Sequence, residues 1–114
     1  MTPSDLARGN LFDDLASTTD GERVDVLHAS SALRIERVVS HGQRSPEGSW
    51  YDQAEDEWVL LVSGSAVLEF EGQATSVQLV PGDWVFIAAR RRHRVVFTAT
   101  DAPSVWVTVW QRGE

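Results

Sequence analysis

Between Trp50 and Phe70 the sequence WYDQAEDEWVLLVSGSAVLEF sets a cluster of ligand-type side chains against the start of two apolar strands. Asp52, Glu55, Asp56 and Glu57 supply carboxylates, Gln53 supplies an amide, and the run Val59-Leu60-Leu61-Val62 follows at once. Glu57 is the pivotal residue. Placed at the start of the strand, it shares a face with Val59 and Leu61 by period-2 alternation, and its carboxylate points into the interior if that face is the buried one. A carboxylate there must be paired, hydrogen-bonded or bound to a metal, because an uncompensated buried charge is too costly. His93 is the second candidate, as a ligand or as a general base tuned by Glu57; its structural alternative is an interior histidine bonded to a neighbour. No particular reaction follows from these residues.

Other polar groups have competing readings. His41 lies in the loop HGQRSPEGSW (residues 41–50), where it either closes over the pocket or is simply solvated, and His28 reads as a surface strand residue. Arg90, Arg91, Arg92 and Arg94 flank His93 and either answer the acidic lip at 52–57 or clamp an anion. Trp50 precedes the ligand cluster and is the one tryptophan expected to wall a pocket with an aromatic face.

The elements that must position these groups are strands. Val24 to His28 alternates apolar with polar, and Leu33 to Ser40 continues the pattern with β-branched enrichment. Further strands are expected at about 57–62, 65–71, 76–80, 84–88, 93–98 and 104–110, separated by Ser63-Gly64, Glu71-Gly72, Pro81-Gly82-Asp83 and Asp101-Ala102-Pro103. His93 is expected to share its face with Val95 and Phe97, and Gln53 lies an even number of residues before Glu57, so both belong on the inner face unless residues 53–57 bulge and Asp52 takes the place of Gln53. Short strands at this spacing argue for an antiparallel sandwich or barrel. Residues 1–22 form an N-terminal arm with a weak helical signal in LFDDLA, read either as a docked helical turn or as a tail; residues 23–114 form the single domain. The last strand places Trp106, Thr108 and Trp110 on one face and Val105, Val107 and Val109 on the other. With Trp58 and Leu60, this two-sided apolarity predicts a homodimer.

A chain of 114 residues fits one domain. With no cysteine, disulfides, thiolate nucleophiles and cysteine metal sites drop out. Seventeen acids against ten bases, a formal charge of −7, oppose attraction to phosphate backbones, so nucleic acid is not an expected partner. No apolar run is long enough for a membrane span and the N-terminus has no apolar signal region, which makes the cytoplasm the expected location. No Walker loop, G-x-G-x-x-G or G-x-S-x-G is present, so neither a nucleotide nor a flavin cofactor is indicated.

Glu57 followed after six residues by Gly64, and later Pro81-Gly82-Asp83 with His93 after nine more, resembles the cupin family of small jelly-roll barrels. The family's first motif is G-x5-H-x-H-x3/4-E-x6-G and its second is G-x5-P-x-G-x2-H-x3-N. Glu57 and Gly64 match the end of the first, and Gly82 and His93 match the second. The likeness covers roughly residues 32–110. The first motif's histidines fall on Tyr51 and Gln53 in one register and on Trp50 and Asp52 in the other; Ala88-Ala89-Arg90 replaces P-x-G, and Phe97 replaces the asparagine. The whole string is similar to short bacterial single-domain cupins in which tyrosine and glutamine commonly stand where the metal histidines would be.

The resemblance implies an all-β jelly-roll barrel of two antiparallel sheets. Typical members hold Fe, Mn, Ni, Cu or Zn with three His and one Glu for dioxygenase, isomerase or related chemistry, and of those ligands only Glu57 and His93 carry over. Two functions stay open. One is an interior site in which Gln53, Glu57 and His93 hold one divalent metal ion, with Tyr51 or Asp52 beside them, for metal-assisted chemistry on a small molecule. The other is a metal-free pocket, lined by Trp50, Tyr51, Asp52, Gln53, Glu57 and His93, that binds or senses a small ligand without turnover.

Overall fold

The computed structural model describes residues 6–16 and 21–112. Eight strands run in chain order: β1 (Arg23–Ala29), β2 (Leu33–Ser40), β3 (Glu55–Ser63), β4 (Ala66–Phe70), β5 (Val77–Leu79), β6 (Trp84–Ile87), β7 (His93–Thr98) and β8 (Ser104–Arg112). They form two antiparallel sheets, β1-β2-β8-β3-β6 and β5-β4-β7, stacked as a jelly roll. No described residue is helical.

The core lies where the alternating faces of β3 and β4 meet. Val59 and Leu61 from one sheet, and Ala66, Leu68 and Phe70 from the other, pack with Leu79, Ile87 and Trp106. Leu61 is fully buried, and truncating it to alanine would cost roughly 2–5 kcal/mol through lost transfer energy and the cavity left behind. Gly64 closes the β3–β4 turn at φ 89°, where a Cβ would stand 2.5 Å from the Ser104 Cα, so only glycine lets this turn press on the start of β8.

The expected helical turn at LFDDLA is not formed: residues 11–13 make an irregular turn and Asp14 takes φ 53°. Tertiary bonding overrides the weak periodicity. The Arg37 guanidinium, only 5% exposed, takes the backbone carbonyls of Leu11, Asp13 and Asp14 and the Asp25 carboxylate, and so straps this segment to the sheet's outer face.

One boundary and one parity differ from the sequence reading. β3 begins at Glu55, two residues before Glu57. In β7 the register slips opposite Val67 and Leu68, which pair with Phe97 and Val95, so Val96 is the extra residue of a bulge. Phe97 is thereby turned outward, 46% exposed, and Thr98 takes the inward position.

Candidate functional site

Three strands do not cover five. The inward-facing Val24 and Val26 of β1 stay more than half exposed, and a pocket of about 180 Å³ opens between the sheets on that side. One end of it is polar. Glu57 enters from β3 on the same face as Val59 and Leu61, and His93 enters from the first position of β7; both are buried. His93 Nε2 is 3.6 Å from Glu57 Oε1, and the Gln53 amide nitrogen donates to that oxygen at 3.3 Å.

The segment before β3 is held by backbone bonds. Tyr51 and His93 exchange N–H to carbonyl bonds at 2.7 and 3.2 Å, and the Arg90 N–H donates to the Gln53 carbonyl at 2.7 Å. This bridge sends the side chains of Tyr51 and Gln53 inward and those of their neighbours outward. The Tyr51 ring packs 5.4 Å from the His93 ring, centroid to centroid. Arg90, which stands at the motif's glycine position, takes φ 66°, the conformation a glycine would adopt there without strain.

His93 Nδ1–H donates to the Arg91 carbonyl at 2.8 Å, which orients the ring and aims Nε2 at Glu57. Burial pulls the imidazole's pKa down, but the nearby Glu57 carboxylate and the bond to the Arg91 carbonyl outweigh it, and the net shift is upward from 6.5.

Trp50 and Asp52 do not line the pocket. Their parity is opposite to that of Tyr51 and Gln53, so Trp50 lies under the guanidiniums of Arg92 and Arg94 and Asp52 pairs with Arg90 at 3.3 Å. The arginine run answers the acidic lip only at that pair, because β7 lies beside β4. Arg92 reaches Glu71 at 2.7 Å, Arg94 reaches Glu69 at 3.3 Å, and Arg91 donates to the Glu71 carbonyl. His41 bonds the Leu15 carbonyl and His28 is exposed on β1; neither lines the pocket.

Much of the remaining wall comes from residues that the sequence does not single out for the pocket. Trp106, Thr108 and Trp110 of β8 face inward, Trp106 donating to Ser40 Oγ at 3.1 Å and Trp110 to Glu36 Oε1 at 2.8 Å. Glu22, Val24, Glu36 and Val38 complete the β1–β2 side. The usable signal was β8's pairing with β3, since Glu57 sits directly opposite Trp110 and so puts Trp110, Thr108 and Trp106 on its own face.

A metal centre does not fit these residues well. Among the described residues no three His, Cys, Asp or Glu side chains converge, and Glu57 and His93 already engage each other with only the Gln53 amide as a third donor. The aromatic Tyr51 and the amide Gln53, standing where imidazoles would be, leave a transition metal two strong ligands short.

A family model described as cupin domain matches residues 38–110. A protein from Ralstonia eutropha JMP134, provisionally named a mannose-6-phosphate isomerase, superposes with a TM-score of 0.89 at 43% identity, covering 93% of this chain and 98% of that one. A cupin superfamily protein from Desulfitobacterium hafniense DCB-2 superposes at 0.69 with 18% identity, over 86% and 84% of the two chains. KdgF from Halomonas sp. does so at 0.68 with 19% identity, over 87% of each. The last two likenesses show the fold alone. No curated protein matches the sequence.

Proposed function

The chain belongs to the cupin domain family, and from that premise we propose that it binds a small molecule in the pocket between its sheets without needing a metal. Glu57 and His93 are the groups that hold or move a proton on the ligand, and Gln53 orients Glu57. The observation that carries this reading is the buried Glu57–His93 contact at 3.6 Å, opening onto a largely apolar cavity. Trp106 and Trp110 line that cavity, so their fluorescence reports occupancy directly. The test is a small-molecule screen by tryptophan fluorescence on the native chain and on the double variant Glu57→Gln, His93→Ala. Hits that bind a folded double variant with unchanged affinity would place the site elsewhere.

The name of the Ralstonia protein would make the ligand a phosphosugar. The chemistry of the wall argues against it, because no arginine lines the pocket among the described residues. A second reading, a divalent ion held by Gln53, Glu57 and His93, draws support from the anchored Nδ1 of His93, the orientation a metal-bound imidazole takes. Metal analysis of protein purified without a histidine tag separates the two: we expect far less than one ion per chain and no change in melting temperature on adding EDTA. Stoichiometric metal would replace the first reading with the second.

The same reading includes a homodimer, although not through the tryptophans of β8. Trp106 and Trp110 face the pocket, whereas the outer face carries Ile35, Val109, Trp58 and Phe86 in one cross-strand row and Val107, Leu60 and Trp84 in the next. Trp84 is 62% exposed and Phe86 55%, which leaves a contiguous apolar face for a second copy. No described helix is long and apolar enough to cross a membrane. Cytoplasmic residence belongs to the same proposal.

A further inference from the structure

The pocket wall carries three carboxylates, Glu22, Glu36 and Glu57, and among the described residues no arginine; the sequence contains no lysine. Arg34 stands beside this wall, but its charge is engaged: Nε is 2.9 Å from Glu36 Oε2, NH2 is 3.5 Å from Glu55 Oε1, and the guanidinium lies over the Trp110 ring at 5.2 Å. Gln53 and His93 both meet Glu57 through Oε1, which leaves Oε2 to the pocket. A second polar group is waiting as well. Thr108 is 5% exposed, its Oγ1 has no hydrogen-bond partner, and it lines the same cavity. Buried hydroxyls are almost always satisfied, so an orphan beside a cavity is a group that a ligand atom or an ordered water can satisfy.

Thr108 and Glu57 are diagonal neighbours on one sheet face, because Val59 pairs with Thr108 and Glu57 with Trp110. Such neighbours sit about 7–8 Å apart at the backbone, and side chains leaning together bring their polar atoms within reach of two groups a few bonds apart on one small molecule. The space around them is walled by Trp106, Trp110, Val59 and Ile87.

We infer that this pocket takes a small organic cation, an amine or alkylammonium compound with an apolar body and a second hydrogen-bonding group, and that it rejects anions, sugar phosphates among them. The inference rests on the proposed reading of the pocket as the binding site. A cation beside Glu57 Oε2 gains from the carboxylates and from the indole and phenol faces, its second polar group satisfies Thr108, and the apolar body displaces water from the aliphatic wall. An anion in the same place meets three carboxylates against one imidazole, His93, that Glu57 already engages, and no free guanidinium.

The test compares four probes by titration against tryptophan fluorescence and by calorimetry. They are choline, its uncharged isostere 3,3-dimethylbutan-1-ol, the matching anion 3,3-dimethylbutanoate, and glucose 6-phosphate. Choline should bind about tenfold or more tightly than the isostere, and the two anions should be weaker still. Glu57→Gln should erase the preference for choline over the isostere. Thr108→Val, which keeps the side chain's shape, should weaken choline several-fold and supplies the test if the Glu57 variant fails to fold. An anion that equals or exceeds choline would overturn the charge assignment while leaving the pocket as a binding site. If none of the four probes registers, the cation assignment falls, and the pocket reading stands or falls separately on the fluorescence screen.

Discussion

His93 Nε2 and Glu57 Oε1 stand 3.6 Å apart with both side chains more than nine-tenths buried, beyond hydrogen-bond length but close enough for the carboxylate to favour a protonated imidazole. In the folded chain the imidazole titrates above its ordinary 6.5, burial opposing the shift and Glu57 and the Arg91 carbonyl driving it. Folding therefore favours the protonated form. Its contribution to stability is complete below about pH 6.5 and disappears as pH rises through the folded value. Proton NMR of the His93 ring should give a midpoint above 6.5, and stability should decline toward alkaline pH in the native chain but not in His93→Gln. A midpoint below 6.5 would mean that desolvation wins.

The acid side is set by a different pair. Asp25 accepts from Arg37 NH2 at 2.6 Å, and this bond, opposed by burial and helped by Arg23, holds the Asp25 carboxyl below its ordinary 3.8. That stability is present above pH 3.8 and lost as pH falls through the folded value. Asp25→Ala would leave the buried Arg37 charge with only backbone carbonyls, at a cost of about 2–3 kcal/mol. Urea unfolding at neutral pH measures it; a loss under about 0.5 kcal/mol would show that the three carbonyls suffice.

Thr108 separates stability from binding. Replacing a buried hydroxyl that has no partner with a methyl removes a desolvation penalty, and valine suits a strand. Thr108→Val should therefore stabilise the ligand-free chain by about 1 kcal/mol. A destabilised variant would indicate that the hydroxyl is already satisfied.

Much of this arrangement was legible before the structure. The parity of Glu57 with Val59 and Leu61 holds because β3 stays regular from Glu57 to Leu61, so the period of two carries all three to the buried face. The spacing of glycine and proline turns gave eight strands, and Glu57, Gly64, Gly82 and His93 pointed to the family. What failed to read has specific causes. Phe97 was assigned inward because a bulge at Val96 leaves no mark in a run of apolar residues. Trp106 and Trp110 count as surplus apolar surface in the sequence reading because β8 is apolar on both faces, and only its pairing with β3 decides which face is inside. The arginines of 90–94 are expected to answer the acidic lip at 52–57 on the assumption that the two motif strands lie side by side, but β7 pairs with β4, and β4 supplies Glu69. Thr108 carried no sequence signal at all, since an unpaired hydroxyl exists only once its neighbours are known.

The outer sheet face provides the last prediction. Trp58 and Trp84 stack at 6.2 Å between ring centroids, beside Leu60, Phe86 and Val107, on the side of the sheet away from the core. A face of this kind loses most by staying wet at its most exposed members, Trp84 and Phe86. Both sit on the edge strand β6 and their side chains contribute nothing to the core cluster, so charging them should leave each chain folded while disrupting a two-fold contact. Sedimentation equilibrium at micromolar concentration is expected to give twice the mass of one chain for the native protein and a single-chain mass for the variant Trp84→Lys, Phe86→Glu, with unchanged far-ultraviolet circular dichroism. A native protein that sediments as a single chain would refute the dimer, and a variant that stays paired would move the contact to another face.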